Sequence, residues 1–107
     1  MTQAEFFIND GVILGVKVSG HSGYSEAGSD IVCASVSSAL IMVANTITEI
    51  MKLPAIVTVI SDAGIAKIKL DEENAEKCQD ILQGLRLHLR NVEDQYGQFL
   101  KVITTEV

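Results

Sequence analysis

The sequence predicts an α+β fold of two layers, ordered β-β-α-β-β-α-β, with one five-stranded, mostly antiparallel sheet and two helices on one face. Three observations predict it. Short runs alternate apolar and polar residues around Asn-Asp-Gly and Asp-Ala-Gly turns. Two longer segments repeat apolar residues every three or four positions. The 107 residues suffice for one domain, 1–107, and 48% of them are apolar, enough for a single core.

The elements follow in order. Gln3 to Ile8 is an apolar-rich strand, and Asn9-Asp10-Gly11 is hairpin chemistry, because these residues tolerate positive φ. Val12, Leu14, Val16 and Val18 then alternate with Ile13, Gly15, Lys17 and Ser19, a second strand with one apolar face. After a loop, Ser22 to Ser29, the period becomes helical from about Asp30 to Lys52: Val36, Leu40, Val43, Ile47 and Ile50. Ser29 or Asp30 is the expected N-cap, and Pro54 closes the segment. Ala55 to Ser61 is β-branched and expected to be a buried strand. Asp62-Ala63-Gly64 turns the chain. Ile65 to Leu70 alternates, with Lys67 and Lys69 on the outer face. Asp71 caps one long helix, about Glu72 to Tyr96, whose stripe is Ala75, Cys78, Leu82, Leu85, Leu89, Val92 and Tyr96. Gly97 stops it, and Phe99 to Thr105 is the last strand.

Fourteen acids against eight bases give a formal charge of −6, which argues against a nucleic-acid partner and admits a basic protein or peptide. No apolar run is expected to be long enough to span a membrane, and no signal peptide opens the chain. A cytoplasmic protein with free thiols is the expectation.

The chemistry concentrates in Ser19 to Ser37, SGHSGYSEAGSDIVCASVS. One of two histidines, His21, and one of two cysteines, Cys33, stand twelve residues apart here. Cys33 is expected in the first turn of its helix, where unpaired N–H groups and the dipole favour a thiolate. The same position also suits an inert buried cysteine, and position alone leaves the two readings even. His21 shifts the balance. Gly20 and Gly23 let its loop approach another backbone, and a Cys–His pair is the minimum apparatus of thiol catalysis. A histidine that only satisfies a turn is the plainer reading. Asp30 is a helix cap, or an acid that orients His21 as in a triad. Ser37 lies one turn below Cys33 on the same face. Cys78 falls in an apolar stripe and reads as core, and His88 lies between Arg86 and Arg90 as a surface residue. Metal binding has no CxxC or HxxxH pair behind it, so neither metal nor cofactor is expected. Gly20-His21-Ser22-Gly23 matches a KH-type GxxG, but it follows a strand, in an acidic chain.

Taken together, Gly20-His21-x-Gly23-Tyr24, Gly28-x-Asp30-Ile31-Val32-Cys33-Ala34 and Val36-Ser37 resemble the signature of the ribosomal-processing cysteine protease family (Prp, YsxB-like). The resemblance implies a small bacterial cysteine endopeptidase, a homodimer. Such proteins cut a short N-terminal extension from a large-subunit ribosomal protein, the twenty-seventh, after an apolar segment ending in aromatic residues. It implies Cys33 as nucleophile, His21 as general base, and Asp30 and Ser37 at the family's acidic and serine positions. Ser35 stands where many members have glycine or a small apolar residue. Gly20, Ser22, Gly23, Tyr24 and Gly28 would form a substrate loop, expected to order when a peptide closes it. The competing reading is a non-catalytic, ribosome-associated protein-binding module in which His21 and Cys33 are incidental.

Overall fold

The computed structural model describes residues 1–20, 29–60 and 64–107; residues 29 and 30 are described in their backbone only. The N-terminal half of the sheet is a hairpin, β1 (Thr2–Asn9) and β2 (Val12–Ser19). Its two-residue loop has Asp10 at φ 51° and Gly11 at φ 78°. Positive φ at both central positions matches the twist of antiparallel strands, which is why Asp-Gly suits this turn.

The rest of the chain is α1 (Ser29–Asn45), continued by a π-helical turn (Thr46–Ile50), then β3 (Ile56–Ile60), β4 (Ile65–Lys69), α2 (Glu72–Lys77), α3 (Gln79–Tyr96) and β5 (Leu100–Glu106). The strand order is β3-β4-β2-β1-β5. Three of the four pairings are antiparallel, while β5 returns parallel to β1, so the sheet is mixed. One core lies between the sheet and the helices. Ala4, Phe6, Ile8, Val16, Val18 and Ile68 from the sheet meet Val32, Val36, Leu40, Val43, Ile47, Leu82, Leu85 and Leu89 from the helices.

Several expectations need correction. The alternation of β2 is broken by a bulge: Phe7 pairs with Gly15 but Ile8 pairs with Ile13, leaving Leu14 unpaired. Ile13 is therefore fully buried in the place that strict alternation assigns to Leu14, which is half-buried. The long second helix is two helices, broken at Cys78 (φ −106°, ψ 8°). Beyond the break, Gln79 Nε2 donates to Ile13 O at 2.9 Å and Gln79 Oε1 accepts from Ile13 N at 2.9 Å. One side-chain amide thus pairs the edge of β2 past the end of β4. Asp71 does cap α2, accepting from Asn74 N at 2.8 Å. Tyr96, placed on the apolar stripe by spacing, is exposed. Gly97 ends α3 with right-handed φ −60°, without the left-handed turn that glycine usually supplies.

At the end of α1, Thr46 and Thr48 donate back to Met42 O and Ala44 O, at 2.8 and 3.0 Å. Met51 N reaches Thr46 O, a spacing of five that widens the last turn into a π-helix. Ile31–Ile50 is a helical stretch of 20 residues with mean hydropathy 1.8, so one segment is in fact long and apolar enough to cross a membrane. Of its expected stripe, Val36, Leu40, Val43 and Ile47 are buried in the core, joined by Val32, whereas Ile50 is exposed. The largest departure is β3. It is an edge strand, and Ile56, Val57, Val59 and Ile60 are 63%, 45%, 62% and 48% exposed. An apolar run looks the same in sequence whether a neighbour covers it or not.

Cys78 is 1% exposed, as its stripe predicts. Burial pushes its thiol pKa up from 9.0, with the Lys77 charge opposing weakly. The folded state therefore holds the proton more tightly than the unfolded chain. This contribution is complete below the unfolded pKa and is lost as pH rises through the folded one. Melting temperature should fall more steeply above pH 9 in the native protein than in Cys78→Ala, from the value 9.0 upward. The variant itself should lose about 1–2 kcal/mol of stability. Equal alkaline slopes would remove Cys78 from the account.

Candidate active site

Cys33 is the fifth residue of α1, half-buried, and not in the free first turn that spacing suggested. In a helix beginning at Ser29 the unbonded N–H groups precede it. Ser37 follows one turn on and Ile41 another, so the three share a face. Together they wall a hollow of about 170 Å³. Thr2, Val18, Gly20 and Ala66 contribute from the sheet, and Val59, Ile60 and Ile65 from its β3–β4 end. The thiol therefore opens on a mainly apolar depression. Cys33 and Cys78 are both free thiols.

His21 and the loop residues Ser22, Gly23, Tyr24 and Gly28 lie outside the described residues, as does the Asp30 side chain. Asp62 and Ala63 of the predicted turn lie outside them too. Gly20 is described, and it marks where the chain leaves β2 toward His21. Its φ is 153°, and a Cβ there would meet Thr2 Cα at 2.7 Å and Met1 O at 2.8 Å. Gly20 N donates to Gly64 O at 3.2 Å. Gly64, at φ 64°, is so close in return that a Cβ would run into Gly20 O. This glycine pair clamps the end of β2 to the start of β4 beside the hollow. The reading of the sequence missed Gly64, Thr2, Ile41, Val59 and Ile60 as neighbours of the site. The exposed apolar side of β3 was their one sequence signal, and it resembles a buried strand.

Gly64→Ala should cost roughly 1–2 kcal/mol for left-handed φ alone, before any clash. Peptide cleavage should suffer beyond that loss of stability, because the path from Gly20 to His21 must shift. Melting and kcat/KM measured on the same preparation check this; a destabilised variant with full kcat/KM would separate the clamp from the site. Among the described residues, no group of three His, Cys, Asp or Glu is placed to hold a metal.

Residues 1–101 match the family described as Cysteine protease Prp. The chain belongs to the Prp cysteine protease family. A Bacillus subtilis protein named ribosomal processing cysteine protease Prp is 27% identical over 90% of this chain and 89% of its own length. A crystal structure of Staphylococcus aureus Prp with a substrate peptide superposes with TM-score 0.86 and 26% identity, over 98% of this chain and all of that one. A second S. aureus Prp structure carries a covalently linked product peptide; its TM-score is 0.81 and its identity 27%, over 98% of this chain and 100% of that one. Like other Prp members, the chain is thus a cysteine protease, a peptide hydrolase with the α+β fold of its relatives.

Proposed function

We propose that this Prp protein removes the short N-terminal extension of a large-subunit ribosomal protein, the twenty-seventh, with Cys33 as nucleophile and His21 as general base. The observation that carries the reading is Cys33 facing the hollow between α1 and the β3–β4 end of the sheet. An extended peptide whose apolar side chains fill that hollow would bring its carbonyl to the thiol. The proton passes from Cys33 Sγ to His21, and sulfur attacks the scissile carbonyl carbon. His21 returns the proton to the leaving amine, leaving a thioester. Water, deprotonated by His21, then attacks the thioester, releasing the carboxylic product and the thiol. Asp30 would orient the imidazole or favour the helix start. Ser37 supplies a hydroxyl one turn below the sulfur. Ser22, Gly23, Tyr24 and Gly28 would close over the bound peptide, with Gly20 the fixed end from which that loop leaves β2. The names of the relatives support the ribosomal substrate.

Incubation with the extended ribosomal protein and measurement of product mass test the reading. The expected product lacks the N-terminal extension, and Cys33→Ser yields none. An intact substrate with the native enzyme would overturn it. We read the protein further as cytoplasmic and homodimeric. Ile31, Ile41, Met42 and Ile50 of the first helical segment are exposed, as are Ile56, Val57, Val59 and Ile60 of β3, and Ile41 shares the hollow with Val59 and Ile60. Light scattering at micromolar concentration should give twice the chain mass of 11.5 kDa.

A further inference from the structure

The sheet face turned away from the helices has a charge of its own. The strand registers set its residues in three rows across the sheet. One row reads Lys101, Gln3, Ser19, Ile65, Ile60; the next Ile103, Glu5, Lys17, Lys67, Thr58; the third Thr105, Phe7, Gly15, Lys69, Ile56. Among the described residues, four of the six lysines of the chain stand in these rows, against one side-chain carboxylate, in a protein of net charge −6. That carboxylate, Glu5, accepts from Thr105 Oγ1 at 2.6 Å. Lys17 and Lys67 are direct cross-strand partners. Like charges so placed oppose pairing of the strands; Glu5, the partner of Lys17 on β1, offsets part of that and leaves Lys67 and Lys69 without a carboxylate in their cross-strand pairs.

The cations come with an aromatic face. Lys67 Nζ lies over the Phe7 ring, 5.9 Å from its centroid, so a base that takes this face displaces the ammonium toward a flanking phosphate. Gly15, which stands between Phe7 and Lys69 in its row, has no side chain, because a Cβ would meet Ile68 O at 2.7 Å. The gap opens a hollow of about 290 Å³ bounded by Phe7, Leu14, Lys67, Lys69 and Val107. A slot for a flat ring beside a ladder of ammonium groups fits a base and its flanking phosphates. An acidic peptide would use the charge but not the slot.

We propose that this face binds single-stranded RNA, with Lys17, Lys67 and Lys69 on phosphates and Phe7 against a base. The choice of RNA over another polyanion rests in part on the ribosomal substrate proposed above; the charge cluster and the slot do not. Net charge missed the site because it averages over faces that the fold separates.

The test uses Cys33→Ser protein and a short, labelled, mixed-sequence single-stranded RNA, followed by fluorescence anisotropy across a salt series. It needs no cleavage, so its failure and a failure of the protease reading are distinguishable. The triple variant Lys17→Gln, Lys67→Gln, Lys69→Gln should bind at least about 10-fold more weakly, and its salt slope should flatten by about 2. Phe7→Leu should weaken binding about 5-fold or more without changing the slope. In the Cys33 background, both variants should cleave a short peptide at the native rate, which shows that they fold. Absence of native binding, an unaltered triple variant, or equal affinity for polyglutamate or anionic vesicles would each overturn the proposal. If the triple variant is misfolded, Lys69→Gln alone, at an exposed position, should still flatten the slope by about 0.7.

Discussion

Replacing Cys33 by alanine or serine is expected to abolish peptide cleavage, lowering kcat/KM by about four orders of magnitude or more. The melting temperature should stay within about 3 °C of the native value. The side chain is half-buried on the wall of an open hollow, so little packing is lost. Serine keeps the shape but is a far poorer nucleophile beside the same base. Iodoacetamide should label Cys33 and spare Cys78, which is 1% exposed and whose thiol burial holds protonated. Retained cleavage in Cys33→Ala would remove Cys33 as the nucleophile, whereas absence of cleavage by the native protein would leave the binding-module reading standing.

The second large effect is expected at His21. His21→Ala should lower kcat/KM by about 10²–10⁴-fold, the usual worth of a positioned general base. The loss should sit in kcat, because the imidazole moves protons and need not hold the peptide. Asp30→Asn should cost much less. The start of α1 at Ser29 puts Asp30 in the first turn, where a carboxylate contributes about 0.3–1 kcal/mol against the helix dipole. Ser29 and Asp30 are thus helical residues and neither is the expected N-cap; steady-state kinetics on both variants decide between helix-dipole support and a triad. An Asp30→Asn protein as inactive as His21→Ala would make Asp30 a third catalytic group.

What was legible in the sequence is what neighbouring residues settle among themselves. Asp10-Gly11 specified a hairpin because a two-residue turn needs φ > 0 at both positions, whatever surrounds it. Asp71 specified a helix start because the N–H that its carboxylate accepts from, Asn74 N, lies three residues away. Ala75, Cys78, Leu82, Leu85 and Leu89 are all buried, as their spacing predicts. Cys33 and Ser37 share a helix face for the same reason, and the family signature around them is a local pattern.

The remainder depended on partners distant in the chain. Whether Ile13 or Leu14 enters the core is decided by the bulge against Phe7 and Ile8, and no alternation within β2 contains that information. The helix break at Cys78 is followed by Gln79 reaching Ile13, 66 residues away. Ala55 to Ser61 has one apolar pattern for a central strand or an edge. The order β3-β4-β2-β1-β5 left it at the edge, and so placed Val59 and Ile60 beside Cys33. Gly20 and Gly64 became one clamp only when β2 and β4 paired. Sequence alone determined the Asp10-Gly11 turn, the Asp71 cap and most of the helix stripes. Tertiary structure decided which strand stayed bare, what surrounds the thiol and where the lysines gather. Propensity, capping and periodicity act over a few residues, whereas strand order and register are set by contacts that form only when the whole sheet does.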